Sequence, residues 1–225
     1  MKTKIVVPIM PISREELEAY QLSDFAEADL IEWRADYLLR DQILKLAPAV
    51  FKKFQNFKVL FTIRTEREGG RLSISDSSYV EMIRQVIENY QPAYVDVEYF
   101  AYPEAFDQLA DFSDRIVLSH HNFETVPDDI FIKALIMAGK KTAFAKLAVM
   151  PASRLETLKF MQGIEHLTAD FGDHIIGIGM GRFGQLTRIS GCPWTYAALE
   201  GQASAPGQLT IAKTKKILTI LESEN

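Results

Sequence analysis

The sequence alternates short runs rich in Ile, Val, Leu and Phe with longer segments whose apolar residues recur at helical spacing. This alternation repeats about eight times, at intervals of about 28 residues, which is typical of a (β/α)8 barrel near the lower end of its size range. The early strands are dense in apolar residues, as expected where both faces of a parallel sheet are buried. A doubly wound open sheet is the structural alternative. The predicted strands are residues 4–10, 30–36, 59–64, 94–99, 116–121, 142–150, 175–181 and 194–199.

Amphipathic segments separate these strands. One begins with an Asp/Ser cap signal at Asp76, and another begins with Ser153 and Glu156 at the spacing of a capping box. No linker, low-complexity stretch or clear repeat interrupts the pattern, so we predict a single domain over residues 1–225. The predicted helices are residues 14–22, 41–54, 76–90, 103–112, 128–138, 153–169 and 209–221.

Composition excludes several classes of protein. Hydrophobic residues make up 48% of the 225 residues, so a sizeable core is expected. The net charge of −5 comes from interspersed acids and bases, which argues against nucleic acid as a main partner. No apolar stretch is long enough to span a bilayer. Cys192 is the single cysteine, so no internal disulfide forms, which suits a reducing cytoplasm.

Lys146 is the residue that most strongly suggests chemistry. It lies in the otherwise apolar strand of residues 142–150, where a charged ammonium is costly unless it is paired or neutralised. Because burial disfavours the charged form, such a lysine can become a nucleophile that forms a Schiff base with a carbonyl substrate. The alternative is a lysine at a strand end whose ammonium reaches water, and this segment alone favours that alternative.

Polar residues collect at the ends of the other predicted strands, where barrel enzymes place their catalytic groups. In a strand, alternate side chains share a face, so Glu32, Arg34 and Asp36 are expected to point the same way. Arg64 ends the third strand. If these groups surround one cavity, both signs of charge meet beside Lys146. The fourth and fifth strands contribute Asp96, Glu98, Ser119, His120 and His121.

His121 is the candidate general acid and base near neutral pH. Glu68, in the loop after the third strand, could hold its ring in one tautomer and stabilise its charged form. His120 is expected to point to the opposite face of the strand and is the weaker candidate. Taken singly, His121 is equally consistent with a surface histidine at a strand exit, and the Glu68-Gly69-Gly70 segment with an ordinary turn.

Three later features are less specific. Residues 176–184 are glycine-rich, but their spacing does not fit a dinucleotide fingerprint, so they indicate a close approach of backbone to ligand. Arg188 could clamp a carboxylate or could simply lie on a helix surface. Residues 203–208 form a small-residue loop suited to a lid, or to a plain connection. The remaining histidines have no familiar metal-ligand spacing, and we predict no metal.

Together these segments resemble type I 3-dehydroquinate dehydratases, the Schiff-base enzymes of the shikimate pathway. The order and spacing of the motifs are specific, although each motif alone is modest. The resemblance extends from Ile31 to Gln208, which is most of the chain. The matching motifs are Glu32-Trp33-Arg34-Ala35-Asp36, Arg64 with Glu68-Gly69-Gly70, Asp96-Val97-Glu98, Ser119-His120-His121-Asn122-Phe123, Lys146 to Pro151, Gly184 to Arg188, and Ala203 to Gln208.

The resemblance implies a (β/α)8 barrel, a homodimer and a reaction without a cofactor. It implies that Lys146 forms an imine with the ketone of 3-dehydroquinate, that His121 moves the protons, and that Glu68 supports His121. It implies ring-hydroxyl contacts from the second and third strands, and carboxylate contacts from Arg188 and the lid. The implied substrate-binding set is Glu32, Trp33, Arg34, Arg64, Arg188, Ser204 and Gln208.

Two positions depart from the usual pattern of the family and put fine substrate contacts in question. Pro8 stands where a small polar residue is common, and Glu200 stands where an aromatic residue is common. Two other functions remain open from the residues. One is a class I aldolase acting on a sugar phosphate, although Arg188 and Glu200 make a poor phosphate site. The other is a barrel that binds metabolites without catalysis.

Overall fold

The computed structural model describes residues 2–223, and of Glu222 only the backbone. All eight predicted strands are present within one or two residues at most ends, and a short ninth strand follows the lid. The strands are β1 (Lys4–Ile9), β2 (Leu30–Arg34), β3 (Lys58–Thr62), β4 (Tyr94–Glu98), β5 (Ile116–His121), β6 (Phe144–Val149), β7 (Ile175–Gly179), β8 (Trp194–Ala198) and β9 (Leu209–Thr210).

The strands are parallel and follow the order of a barrel. β1 pairs with β2 on one side and with β8 on the other, and each strand from β2 to β6 pairs with the next. This order confirms the (β/α)8 barrel and excludes the doubly wound alternative, in which the two halves lie on either side of the first strand. Within the described residues no ladder joins β7 to β8, and the 3-10 segment Gln185–Ile189 packs against both strands there.

The predicted amphipathic segments form helices with one exception, and the short helix Gly181–Gly184 in the glycine-rich segment was not predicted. The predicted helix over residues 103–112 is wrong: a short helix is followed by the 3-10 segment Ala110–Arg115, and Phe112 has non-helical angles. Asp, Ser and Phe, which have low helix propensity, dominate this stretch. The helices are α1 (Arg14–Ala19), α2 (Arg40–Lys53), α3 (Asp76–Tyr90), α4 (Ala105–Gln108), α5 (Ile130–Ala138), α6 (Arg154–Phe171), α7 (Gly181–Gly184) and α8 (Ile211–Glu222).

Side chains cap the start of α6. Ser153 Oγ accepts from the backbone N–H of Glu156 at 3.2 Å, and the Glu156 carboxylate accepts from the backbone N–H of Ala152 at 2.9 Å. These two bonds satisfy donors at the start of α6 that the helix itself leaves unpaired. The predicted capping signal is therefore confirmed, with Ala152 rather than Ser153 as the second donor.

Alternate residues of each strand face the inside of the barrel. The apolar floor of the interior includes Val6, Leu60 and Trp194. The neighbours of these residues along each strand point outward and pack against the helices. The outer layer is the larger hydrophobic core, and it contains the apolar faces of α2 and α3. Polar side chains at inward positions nearer the carboxyl ends of the strands therefore converge above an apolar floor.

Candidate active site

The inward polar side chains meet at the carboxyl-terminal end of the barrel and line a small cavity of about 40 Å³. β2, β5, β6, β8 and the segment after β3 supply charged or titratable groups, and residues 203–208, the lid, line the remaining side. The cavity is lined by Glu32, Arg34, Arg64, His121, Phe123, Lys146, Ala148, Ile178, Met180, Arg188, Tyr196, Ser204, Ala205 and Gln208.

Lys146 lies inside the cavity and does not reach bulk water, since only 4% of the residue is exposed. Its Nζ is 3.2 Å from Asp96 Oδ2 and 3.9 Å from Glu32 Oε1. The ammonium also lies 4.6 Å from the centroid of the Tyr196 ring. The structure therefore contradicts the strand-end alternative, and it places carboxylates next to the amine.

Arg64 organises the acidic side of the cavity. Its Nη2 donates to Asp96 Oδ1 at 2.8 Å, and its Nη1 donates to Glu98 Oε1 at 2.8 Å. Burial opposes ionisation of Asp96, but Arg64 and Lys146 together hold its pKa below the ordinary value. Since both terminal nitrogens of Arg64 already bind carboxylates, its geometry favours positioning Asp96 over the predicted contact with a ring hydroxyl.

Glu68 is shared by two histidine rings. Its Oε2 lies 2.9 Å from Nδ1 of His121 and accepts the backbone N–H of His121 at 3.0 Å, while its Oε1 lies 2.9 Å from Nδ1 of His120. An ionised carboxylate only accepts, so Nδ1 of His121 is the donor and its Nε2 keeps a free lone pair. The predicted pairing of Glu68 with His121 is present. The contact with His120 was not predicted, and His120 does not line the cavity.

His121 is held in its neutral form. Burial lowers its pKa well below 6.5, and the charges of Arg64 and Lys146 lower it further. A neutral imidazole with a free Nε2 lone pair is a competent base at neutral pH. The pKa of His121 thus lies on the acid side of the near-neutral value of an unperturbed histidine.

One of the predicted substrate-binding residues of β2 lies outside the cavity. Glu32 faces inward and accepts from the Thr62 hydroxyl at 3.0 Å, and Arg34 also faces inward and binds Asp36 through two bonds of 2.7 and 2.8 Å. Trp33, which stands between them, faces the helices and packs against outer-core aromatic rings. The prediction that Trp33 binds substrate is wrong, because neighbouring residues of a strand point to opposite faces.

Arg188 is a buried cation without a carboxylate. Its Nη1 and Nη2 donate to the backbone oxygens of Tyr196 and Pro206, each at 3.2 Å, and its Nε has no partner among the described residues. No salt bridge to Arg188 occurs within residues 2–223. Burial lowers its pKa to about 10, so the side chain stays charged at neutral pH. A buried, uncompensated guanidinium in a cavity is suited to an anionic ligand.

The lid, residues 203–208, lies over the cavity. The Gln208 amide accepts from the Ser204 backbone N–H at 2.8 Å and donates to Ser204 Oγ at 3.0 Å. Pro206 accepts from Arg188 and from the backbone N–H of Gly181. Ligand cavities usually enclose about 300–1,000 Å³, so the cavity of about 40 Å³ in this structure is small for a ligand.

Comparison with known proteins decides the family. The family model described as type I 3-dehydroquinase matches residues 5–225. The chain belongs to the type I 3-dehydroquinase family. The 3-dehydroquinate dehydratase of Lactococcus lactis is 46% identical over 226 residues, which cover 98% of this chain and 99% of the relative. A crystal structure of 3-dehydroquinate dehydratase from Geobacillus kaustophilus is 28% identical, with a TM-score of 0.87, and the match covers 98% of this chain and 91% of that one.

Sequence reasoning missed two residues at the site of this type I 3-dehydroquinase. Asp96 is predicted only as one of several polar strand residues and has no assigned role, yet among the described residues it is the closest carboxylate to the Lys146 amine. Tyr196 was not considered, although it occupies an inward position of β8, and strand parity could have found it. Pro8 and Glu200 do not line the cavity, and Glu200 lines a separate groove near α1.

Proposed function

We propose that this chain dehydrates 3-dehydroquinate to 3-dehydroshikimate through an imine on Lys146, the third step of the shikimate pathway. The observation that carries the proposal is the arrangement of one cavity. It holds a buried lysine amine, a neutral histidine paired with a carboxylate, and a buried arginine that lacks an anion. We further propose that the whole chain, residues 1–225, forms one catalytic barrel.

The first step is attack of the Lys146 amine on the ketone carbon of the substrate. A carbon–nitrogen bond forms, the carbonyl oxygen leaves as water, and a protonated imine remains. The ammonium must lose a proton before it attacks, and Asp96 Oδ2 is the nearest base, at 3.2 Å. The cationic imine withdraws electrons more strongly than the ketone, which makes the neighbouring C–H acidic enough for an imidazole.

His121 then moves the proton. Its Nε2 lone pair takes the proton next to the imine carbon, and the resulting imidazolium is stabilised by Glu68 at 2.9 Å. The electron pair expels the hydroxyl group, which receives a proton from His121 and leaves as water. Hydrolysis of the conjugated imine releases the product and restores Lys146.

The remaining cavity residues hold the substrate. Glu32 and Arg34 face the interior from β2 and suit ring hydroxyls, while Arg188 suits the carboxylate, with Ser204 and Gln208 of the lid beside it. We assign Arg64 to the same side as Glu32, where it positions Asp96 as well as facing the cavity. No cofactor or metal takes part in the proposed reaction.

The assay is the appearance of the conjugated enone product, followed by its absorbance after 3-dehydroquinate is added. The purified chain is expected to turn over many equivalents of substrate, whereas Lys146→Ala should show no turnover above background. A variant that lacks the lysine and keeps the wild-type rate would contradict the imine mechanism. A wild-type chain without activity would contradict the proposed function.

We also propose that the protein is a cytoplasmic homodimer. Within residues 2–223, no helix has the length and apolarity that crossing a membrane requires. Exposed apolar side chains lie on neighbouring outer helices, Ile132 and Leu135 on α5 and Leu155 and Leu158 on α6. A patch of this kind suits a protein–protein interface. Light scattering should give the mass of two chains, and Leu155→Lys should shift the mass toward one chain.

A further inference from the structure

Tyr196 carries a buried polar group for which the protein itself provides no partner. The residue is 5% exposed and lines the cavity from β8, and its hydroxyl has no hydrogen-bond partner among the described residues. Trp33 Nε1 and Thr195 Oγ1 are also unpaired, but these residues do not line the cavity. The Tyr196 hydroxyl and Arg188 Nε are therefore the unpaired buried side-chain atoms that belong to cavity-lining residues among the described residues.

Contacts on two sides fix the position of Tyr196. Its ring lies 4.6 Å from Lys146 Nζ, and its backbone oxygen accepts from Arg188 Nη1 at 3.2 Å. The residue thus stands between the amine that attacks the ketone and the cation proposed to bind the carboxylate. A group held so firmly loses little freedom when a ligand binds, which favours its use as a substrate contact.

The hydroxyl is suited to donating a hydrogen bond. Burial raises the pKa of Tyr196 well above 10, and the negative charges of Glu32 and Asp96 raise it further, so the phenol keeps its proton. A substrate that carries several hydroxyl groups, a ketone and a carboxylate offers acceptor oxygens on most sides of its ring.

We propose that Tyr196 is a further substrate-binding residue, whose hydroxyl donates a hydrogen bond to an oxygen of the bound polyhydroxylated keto acid. The inference rests on the proposed function, which supplies the chemical class of the ligand. The proposed partner is an oxygen that stays on the substrate throughout the reaction, so the hydroxyl binds the substrate and the transition state alike. Its loss therefore weakens binding more than it slows chemistry.

The test is the Tyr196→Phe variant, which removes one oxygen and keeps the ring beside Lys146. KM for 3-dehydroquinate should rise about 3- to 10-fold, the effect of one neutral hydrogen bond, while kcat stays within about twofold. The melting temperature of the free protein should stay the same or rise, because an unpaired buried hydroxyl is lost. Stabilisation by the product should become smaller in the variant.

Tyr94→Phe is the matched control. Tyr94 also faces the barrel interior, with its ring centroid 4.9 Å from that of Trp194, but it does not line the cavity. This variant should keep wild-type KM and kcat. An active wild-type enzyme with an unchanged KM in Tyr196→Phe would overturn this inference alone. Failure of the wild-type chain to dehydrate 3-dehydroquinate would overturn the proposed function as well.

Discussion

Replacement of Arg188 with methionine removes a buried charge and keeps a flexible side chain of similar reach. Burial lowers the pKa of Arg188 from an ordinary 12.5 to about 10. At 1.36 kcal/mol for each pH unit, this difference corresponds to a burial cost of about 3 kcal/mol. The variant recovers that cost but loses two hydrogen bonds to backbone oxygens, together about 3 kcal/mol. The free energy of unfolding should therefore change by no more than about 1 kcal/mol.

Catalysis should respond very differently to Arg188→Met. Loss of a charge-assisted, two-bond contact with a carboxylate costs about 3 kcal/mol, which lowers kcat/KM roughly 100-fold. A large loss of kcat/KM with little change in the free energy of unfolding is the result expected of a residue that binds the ligand rather than one that stabilises the fold. The assay is enone absorbance for kcat/KM and urea unfolding for stability.

Arg34→Met is the comparison for stability. Arg34 forms a two-bond salt bridge with Asp36, which is 2% exposed, so the variant leaves a buried carboxylate without its cation. Loss of one partner from such a pair typically costs about 3–5 kcal/mol. The reasoning would be refuted if Arg188→Met lost as much stability as Arg34→Met, or if it kept the wild-type kcat/KM.

Three further predictions concern the base, its support and the lid. Because burial lowers the pKa of His121 below 6.5, the acid limb of the kcat/KM profile should lie below pH 6.5. The free energy of unfolding should likewise fall as pH drops below 6.5, since the unfolded histidine takes up a proton that the folded one does not. An acid limb of the kcat/KM profile above pH 6.5 would contradict the assignment of His121 as the base. Glu68→Gln, which keeps only one acceptor oxygen, should lower kcat by about 10²-fold while imine formation, measured by borohydride trapping, persists; a wild-type kcat would argue against the support role. Gly207→Ala should lower kcat/KM about tenfold, because φ is +80° and the added Cβ would overlap the backbone oxygen of Gly181. Gly201→Ala, with φ +73° and open space around it, should leave kcat/KM nearly unchanged, and equal losses in both variants would rule out lid docking as the cause.

Much of the site follows from strand parity. Lys146, Glu32 and Arg34 lie at inward positions of predicted strands, so the sequence alone predicts that they converge. The motif that contains Trp33 predicts a binding role for all of its members, although the position of Trp33 between two inward residues already indicates the outer face. Tyr196 belongs to the weakest predicted strand, whose apolar pattern does not by itself indicate which side chains point inward.

Other features depend on distances that a sequence does not contain. Whether Arg64 binds substrate or Asp96 is decided by the stagger between β3 and β4, which brings its guanidinium within 2.8 Å of the carboxylate. The sharing of Glu68 by His120 and His121 depends on the path of the loop after β3. The closeness of Asp96 to Lys146, across β5, likewise follows from the curvature of the sheet.

The central claim is that Lys146 forms a covalent imine with the substrate. The direct measurement is mass spectrometry after incubation with 3-dehydroquinate and sodium borohydride, which reduces an imine to a stable amine. Peptide mapping should locate one reduced adduct on Lys146, and Lys146→Met should carry none while it still folds. An adduct on another lysine, or an unmodified wild-type enzyme that turns over substrate under the same conditions, would contradict the account.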